Sequence, residues 1–281
     1  MAAAFDWIWL LTDYGQRDGF AAACRGVVAR IAPAVRVVDV THEVPPGDVR
    51  HGAVVLAQTV PYLPPSVVVA VVDPGVGGTR RALGLAAGAS ILVGPDNGLL
   101  PWAADVLGGA TAAVELSDPA YHLRSASHTF HGRDVFAPVA AHLAMGVPLG
   151  AVGPALAVDG LVRLRAPRVE VRDGVLDTEV LAVDRFGNVQ LAARDADLEA
   201  AGLAGGPVEV GVGDRSYGVE LGSTFGDVAL GSLVVLVDSA GHVALAVNGG
   251  TAAAELGLVG GDPVLVIRMA GSSTTPSWSA P

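Results

Sequence analysis

Five short polar segments hold most of the groups able to do chemistry in the first half of this 281-residue chain. Four of them directly follow apolar runs: Thr12-Asp13-Tyr14-Gly15, Asp39-Val40-Thr41-His42-Glu43, Asp73-Pro74-Gly75-Val76-Gly77-Gly78 and Gly94-Pro95-Asp96-Asn97-Gly98. The fifth and densest is Ser127-His128-Thr129-Phe130-His131-Gly132-Arg133-Asp134. Taken singly, each Asp or Asn is an ordinary turn or helix-cap residue. Taken together they supply carboxylates, imidazoles and guanidinium groups, from which acid–base catalysis and fixed-charge stabilisation are built. A metal would draw on His128, His131 and Asp134 with Asp73 or His42. The HxxH spacing suits a helix face, however, and this segment reads as a loop entering a helix near Asp134, so no metal is expected and Asp134 is expected to cap or complement the helix dipole.

Two further segments stand out in the second half. Val183-Asp184-Arg185-Phe186-Gly187-Asn188-Val189 interrupts an apolar strand with a charge pair, an aromatic ring and an amide, and Thr224-Phe225-Gly226-Asp227 places a second Phe beside Gly. The first is either a bulge or hairpin turn, or a ligand wall in which Phe stacks on a flat ring and Asn reads its edge. With only six Phe in the chain, two in polar loops are poorly explained as core.

The elements that must position these residues follow from hydrophobic periodicity. Strands are predicted near residues 7–11, 35–40, 67–72 and 90–93, and helices near 18–32, 48–60, 98–107 and 133–145, the rhythm of parallel βαβ units. Runs such as Val67-Val68-Val69-Ala70-Val71-Val72 suit strands covered on both faces by helices. Ligands of such sheets bind beyond the carboxyl ends of the strands, where the four polar exits fall. From about residue 166 the pattern becomes alternation with turns, as in antiparallel β-structure. The expected fold is therefore α/β: an N-terminal domain over 1–160, its mostly parallel sheet flanked by helices, then a smaller β-rich domain over 161–271 and a frayed tail over 272–281.

Composition excludes several functions. The formal charge of −11 disfavours nucleic acid as a partner. All 17 basic residues are Arg, which removes Schiff-base lysines and the Walker lysine, while Arg80 stands where a dinucleotide fingerprint needs its third Gly. One cysteine, Cys24, excludes disulfides and Cys metal clusters and reads as buried in a helix. No run approaches about 18 uninterrupted apolar residues, so no membrane span is expected. Met1–Leu11 lacks a basic start and carries Asp6, unlike a signal peptide, so a cytoplasmic address is expected.

The same segments resemble, in order and over nearly the whole chain, the S-adenosyl-L-methionine hydroxide adenosyltransferases, relatives of enzymes that make 5′-halo-5′-deoxyadenosines. The matching stretches are Thr12-Asp13-Tyr14-Gly15, Val38 to His42, Val72 to Gly77 with Arg80, Gly94 to Leu99, Phe130-His131-Gly132-Arg133-Asp134 and Asp184 to Asn188. The resemblance implies an α/β domain followed by a β-barrel-like domain, and a homotrimer with sites between neighbouring subunits. It implies hydrolysis of S-adenosyl-L-methionine to adenosine and methionine without a cofactor. By this resemblance Asp73, Arg80 and His131 form the catalytic triad and Asp13 holds the ribose. Asp184 takes the methionine ammonium and Asn188 the adenine edge, with Phe186 or Phe225 against its face. The halide-using branch differs: it has Tyr and Thr within the stretch aligned with Asp73 to Val76, and Tyr-Ser where this chain has His131-Gly132. That branch's Ser-Arg pair for the carboxylate falls on Ala246-Val247, next to Asn248, the remaining candidate contact. Three other readings stay open on sequence alone: a halide adenosyltransferase, a metal-dependent hydrolase and a non-catalytic nucleoside-binding module.

Overall fold

A computed structural model describes residues 4–269, so the tail expected from 272 lies outside the described residues. The chain divides between Arg165 and Ala166 into two compact units.

In the first unit, strands β1 (Trp7–Thr12), β2 (Arg36–Thr41), β3 (Val67–Val71), β4 (Ala82–Ala87), β5 (Ser90–Pro95), β6 (Ala110–Glu115) and β7 (Ala155–Leu156) form one sheet in the order β2-β1-β3-β5-β4-β6-β7. The pairings of β1 with β2 and β3, and of β3 with β5, are parallel, whereas β4 runs antiparallel to both β5 and β6. Helices α1 (Phe20–Ile31) and α4 (Ala137–Ala144) cover one face, and α2 (Val49–Thr59) and α3 (Leu99–Val106) the other. Strand β3 shows why its sequence is apolar throughout: Val67, Val69 and Val71 enter the core under α1 and α4, while Val68 and Ala70 enter that under α2 and α3. Each buried Val contributes about 1.5–3 kcal/mol relative to exposure. Cys24 is buried in α1 against this core.

Sequence periodicity did not reveal β4, β6 or β7. Ala82-Leu83-Gly84-Leu85-Ala86-Ala87 holds no β-branched or aromatic residue, so its strand character comes from pairing with β5 and β6 rather than from local preference. The polar exit after β5 is structural. Asp96 is buried, paired with Arg81 and accepting the Val162 N–H at 3.0 Å, and Asn97 donates to the Val72 carbonyl at 2.8 Å.

The second unit contains β8 (Val169–Arg172), β9 (Val175–Val183), β10 (Val189–Arg194), α5 (Asp195–Ala200), β11 (Val208–Val212), β12 (Arg215–Leu221), β13 (Leu233–Val237), β14 (His242–Val247), α6 (Ala252–Leu256) and β15 (Pro263–Arg268). The order β9-β10-β14-β13-β12-β11-β15 returns to β9, closing a barrel of seven strands with β8 added beside β9. Closure leaves no free edge in the barrel. Its interior is filled by aliphatic side chains such as Leu176, Val180, Leu191, Val210, Leu245 and Val266. Among the described residues, no helix of either unit is long and apolar enough to cross a membrane.

Candidate active site

The carboxyl ends of β1 and β3 open into a cavity of about 290 Å³ in the first unit, lined by Asp13, Tyr14, Phe20, Asp73, Phe130, His131 and Gly132 among others. Beyond β3, Pro74 has no N–H to extend a ladder and the chain turns tightly: Val76 N–H donates to the Asp73 carbonyl and Gly78 N–H to the Gly75 carbonyl. The turn sends Arg80 back toward Asp73 just before β4 begins. Arg80 Nε lies 3.1 and 3.0 Å from the two Asp73 carboxylate oxygens, and Nη2 closes on Oδ2. The same Nη2 donates to His131 Nδ1 at 2.8 Å. Asp73, Arg80 and His131 are thus hydrogen-bonded in one chain, with Arg80 at its centre and its guanidinium also packed 5.3 Å from the buried Phe136 ring. Only 5% of the Asp73 side chain and 12% of that of Arg80 are exposed, so this bidentate pair is largely shielded from water.

His131 arrives from the other loop. It leads into a wide π-helical turn, Gly132–Phe136, in which the Ala137 N–H reaches back to the Gly132 carbonyl. Such turns recur at functional sites. Asp134 lies in the first turn, where its charge complements the helix dipole as expected, but its side chain does not cap the helix. It accepts the Ser127 N–H at 2.7 Å and pairs with Arg133, pinning the loop that carries His128 and His131. Burial works against its ionisation, but Arg133 and the Ser127 N–H outweigh that cost and hold its carboxyl below the usual range.

Two glycines let these loops close. Gly77 has a φ of +75°, and a Cβ there would stand 2.2 Å from the His128 carbonyl oxygen. The Asp73–Arg80 loop therefore meets the His131 loop through bare backbone. At Gly132 a Cβ would fall 2.1 Å from the Tyr14 hydroxyl. The Tyr14 ring in turn packs with Phe130 and Phe20 at 5.6 and 6.0 Å, an aromatic wall on the cavity. Sequence reasoning did not single out these three rings. The available signal was the same scarcity of Phe that drew attention to Phe186 and Phe225.

Electrostatics fix the state of His131. Burial and the Arg80 guanidinium lower its pKa, with Asp73 offsetting them only in part. A guanidinium has no acceptor, so Nδ1 must offer its lone pair to Arg80 and the ring proton resides on Nε2. Burial likewise holds the Tyr14 hydroxyl protonated, its pKa pushed well up. Asp13 borders the cavity and accepts the Gly47 N–H at 2.8 Å through Oδ2. Among the described residues, no three His, Cys, Asp or Glu side chains converge as metal ligands.

The remaining candidates lie in the second unit. The segment after β9 is a hairpin turn into β10: Asp184 accepts N–H groups from Phe186 and Asn188 at 2.8 and 2.9 Å, and its Oδ2 accepts from Asn188 Nδ2 at 2.8 Å. Asp184 and Asn188 are therefore tied to each other, while Phe186 is 69% exposed. Phe225 opens a short helical turn and is also exposed, and Asn248 donates to the Val228 carbonyl at 2.8 Å, bracing the chain just beyond that turn.

Comparison with known proteins bears on both units. The family models for the SAM hydroxide adenosyltransferase N-terminal and C-terminal domains match residues 8–153 and 178–265. A protein of Salinispora arenicola named (R)-S-adenosyl-L-methionine hydrolase is 57% identical over 264 residues, covering 94% of this chain and 98% of the relative. A fluorinase from an Actinoplanes species is 31% identical over 291 residues, covering 93% and 97%. The crystal structure of an uncharacterized conserved protein from Thermotoga maritima superposes with a TM-score of 0.86 at 37% identity, covering 93% of this chain and 100% of that one.

Proposed function

The chain belongs to the SAM hydroxide adenosyltransferase family, and on that premise we propose that this enzyme hydrolyses S-adenosyl-L-methionine to adenosine and L-methionine. A water-derived oxygen attacks the ribose 5′ carbon in line with the C–S bond. The sulfonium leaves as the neutral thioether of methionine, and the water's second proton passes to the protein. The sulfonium loses its positive charge as the C–S bond breaks and the carboxylate that takes the proton loses its negative one, so a pocket that sheds bulk water favours the reaction.

The observation that carries this reading is the chain of hydrogen bonds from Asp73 through Arg80 to His131 at the mouth of β3, with Asp13 on the same cavity. It also supports a division of labour. His131 Nδ1 is committed to Arg80 and Nε2 carries hydrogen, so the imidazole enters the reaction as a donor that orients the attacking oxygen. Asp73 Oδ2 accepts from both Nε and Nη2 of Arg80, whereas Oδ1 accepts from Nε alone and keeps a lone pair, which makes Oδ1 the proton acceptor. Bulk water has a pKa of about 15.7, far above that of any carboxylate, so the proton moves during attack rather than before it. Arg80 fixes both partners and supplies the positive charge that steadies the hydroxide-like oxygen.

For the substrate, Asp13 binds the ribose hydroxyls, Asp184 the ammonium group and Asn188 the adenine edge, with Phe186 or Phe225 on the adenine face and Asn248 near the methionine carboxylate. The active form is a homotrimer with sites between neighbouring subunits, working in the cytoplasm without metal or other cofactor. The test is to incubate purified protein with S-adenosyl-L-methionine, alone, with chelator and with high chloride, and to separate the products. Adenosine and methionine at an unchanged rate in all three support the reading. Loss of turnover with chelator would indicate a metal-dependent hydrolase, chlorinated nucleoside a halide transferase, and adenosine binding without turnover a binding module.

A further inference from the structure

The imidazole of His42 is wholly buried, and the reaction above makes no use of it. Its Nδ1 lies 2.7 Å from Thr12 Oγ1, and that hydroxyl oxygen accepts the Tyr14 N–H at 3.2 Å. The His42 carbonyl accepts the Gly15 N–H at 2.7 Å. One residue therefore grips the chain on both sides of Asp13, by side chain at Thr12 and by backbone at Gly15. On the other side of the ring, Nε2 stands 3.0 Å from Asp39 Oδ1. That approach is bent away from hydrogen-bond alignment, and neither buried atom has another hydrogen bond, so it is an electrostatic contact that holds the ring rather than a full bond. Asp39 Oδ2 is in turn paired with Arg25 of α1.

Donor bookkeeping gives the array a direction. The Asp39 carboxylate beside Nε2 favours the ring hydrogen there, which leaves Nδ1 to accept the Thr12 hydroxyl proton while the Thr12 oxygen receives the Tyr14 N–H. We propose that His42 is a positioning residue for the Thr12–Gly15 segment, held in this tautomer by Asp39 and Arg25, and that it sets how firmly the site takes a ribose. The inference rests on the reading of Asp13 as the ribose ligand. Without the Thr12 acceptor the Tyr14 N–H loses its partner, and Asp13 and Tyr14 are freed to move together away from the cavity.

Four variants test it: Thr12→Val, near-isosteric but without the hydroxyl; Thr12→Ser, which keeps it; His42→Leu; and His42→Asn, whose amide oxygen takes the place of Nδ1. Adenosine affinity by calorimetry, kcat and KM, thermal melting and hydrogen exchange at the Tyr14 and Gly15 amides are measured for each. Thr12→Val and His42→Leu should weaken adenosine binding and raise KM by about tenfold, the worth of one hydrogen bond, with kcat changed less than about threefold. Exchange at both amides should quicken, and Thr12→Ser and His42→Asn should recover most of the loss. Folded Thr12→Val protein with wild-type adenosine affinity and wild-type exchange overturns the proposal. If His42→Leu fails to fold, the two Thr12 variants decide. If the wild type neither binds adenosine nor consumes S-adenosyl-L-methionine, it is the functional reading that fails, and the exchange rates still decide whether His42 holds this segment.

Discussion

At the scale of single residues, the chemistry depends on which groups hold protons. Asp73→Asn preserves shape but removes the acceptor, so kcat should fall by about 10²–10⁴-fold while adenosine affinity stays near the wild-type value. Equal loss of both, in a folded variant, would place Asp73 in binding instead. In the proposed mechanism His131 works as the neutral ring. Because burial and Arg80 depress its pKa, activity should persist as pH drops through about 6.5, the ordinary imidazole value, and fail only below it, when Nδ1 protonates and breaks from Arg80. Arg80→Ala removes the larger of the two charged groups that depress it, Arg80 and His128, so the His131 titration followed by NMR should move up. A titration that stays put or moves down contradicts the arrangement. Much of this was hidden in the sequence: residues 73, 80 and 131 could be nominated through resemblance, but spacing alone could not put Arg80 between the other two or show that His131 Nδ1 is occupied. Nor could it separate the structural Asp96 and Asn97 from Asp73, since all three follow strands and obey the same turn chemistry.

At the scale of elements, the site exists because two loops meet without side chains between them. Gly77→Ala forces a left-handed φ on a residue with a Cβ and drives that Cβ into the His128 carbonyl, at a cost of about 1–3 kcal/mol in stability. It should also part Asp73–Arg80 from His131, and a displacement of the order of 1 Å is worth about 10²-fold in kcat. Wild-type kcat in Gly77→Ala would mean that this meeting of loops does not position the triad. The strands and helices that support the loops were legible where packing and local preference agree, as in β1, β3 and α1. Strand β4 was not, because Ala, Gly and Leu give no β signal and only its two neighbours make it a strand. The wide turn at Gly132–Phe136 was equally illegible, since its residues read as the first turn of an ordinary helix.

At the scale of the whole molecule, buried histidines make stability depend on pH. His122, His131, His142 and His242 all have pKa values lowered, in each case chiefly by burial. The unfolded chain takes up protons near pH 6.5 that the folded chain refuses, so stability should decline as pH falls from about 7 through the window between the ordinary imidazole value and the lower folded values. Asp134, held below the usual carboxylate range, adds a loss of the same sign at lower pH. Acidification also relieves the net charge of −11, which acts in the opposite sense, but this repulsion between surface charges is screened at about 0.15 M salt. Thermal melts at that ionic strength should show the midpoint falling between pH 7.5 and about 5.5, and a rising midpoint would mean these histidines take up protons in the folded state. The most direct measurement of the chemistry itself is a turnover in heavy-oxygen water with mass analysis of both products. The heavy atom is expected in the 5′ hydroxyl of adenosine, with methionine unlabelled. Unlabelled adenosine, or label carried by methionine, would contradict attack by water at the ribose carbon.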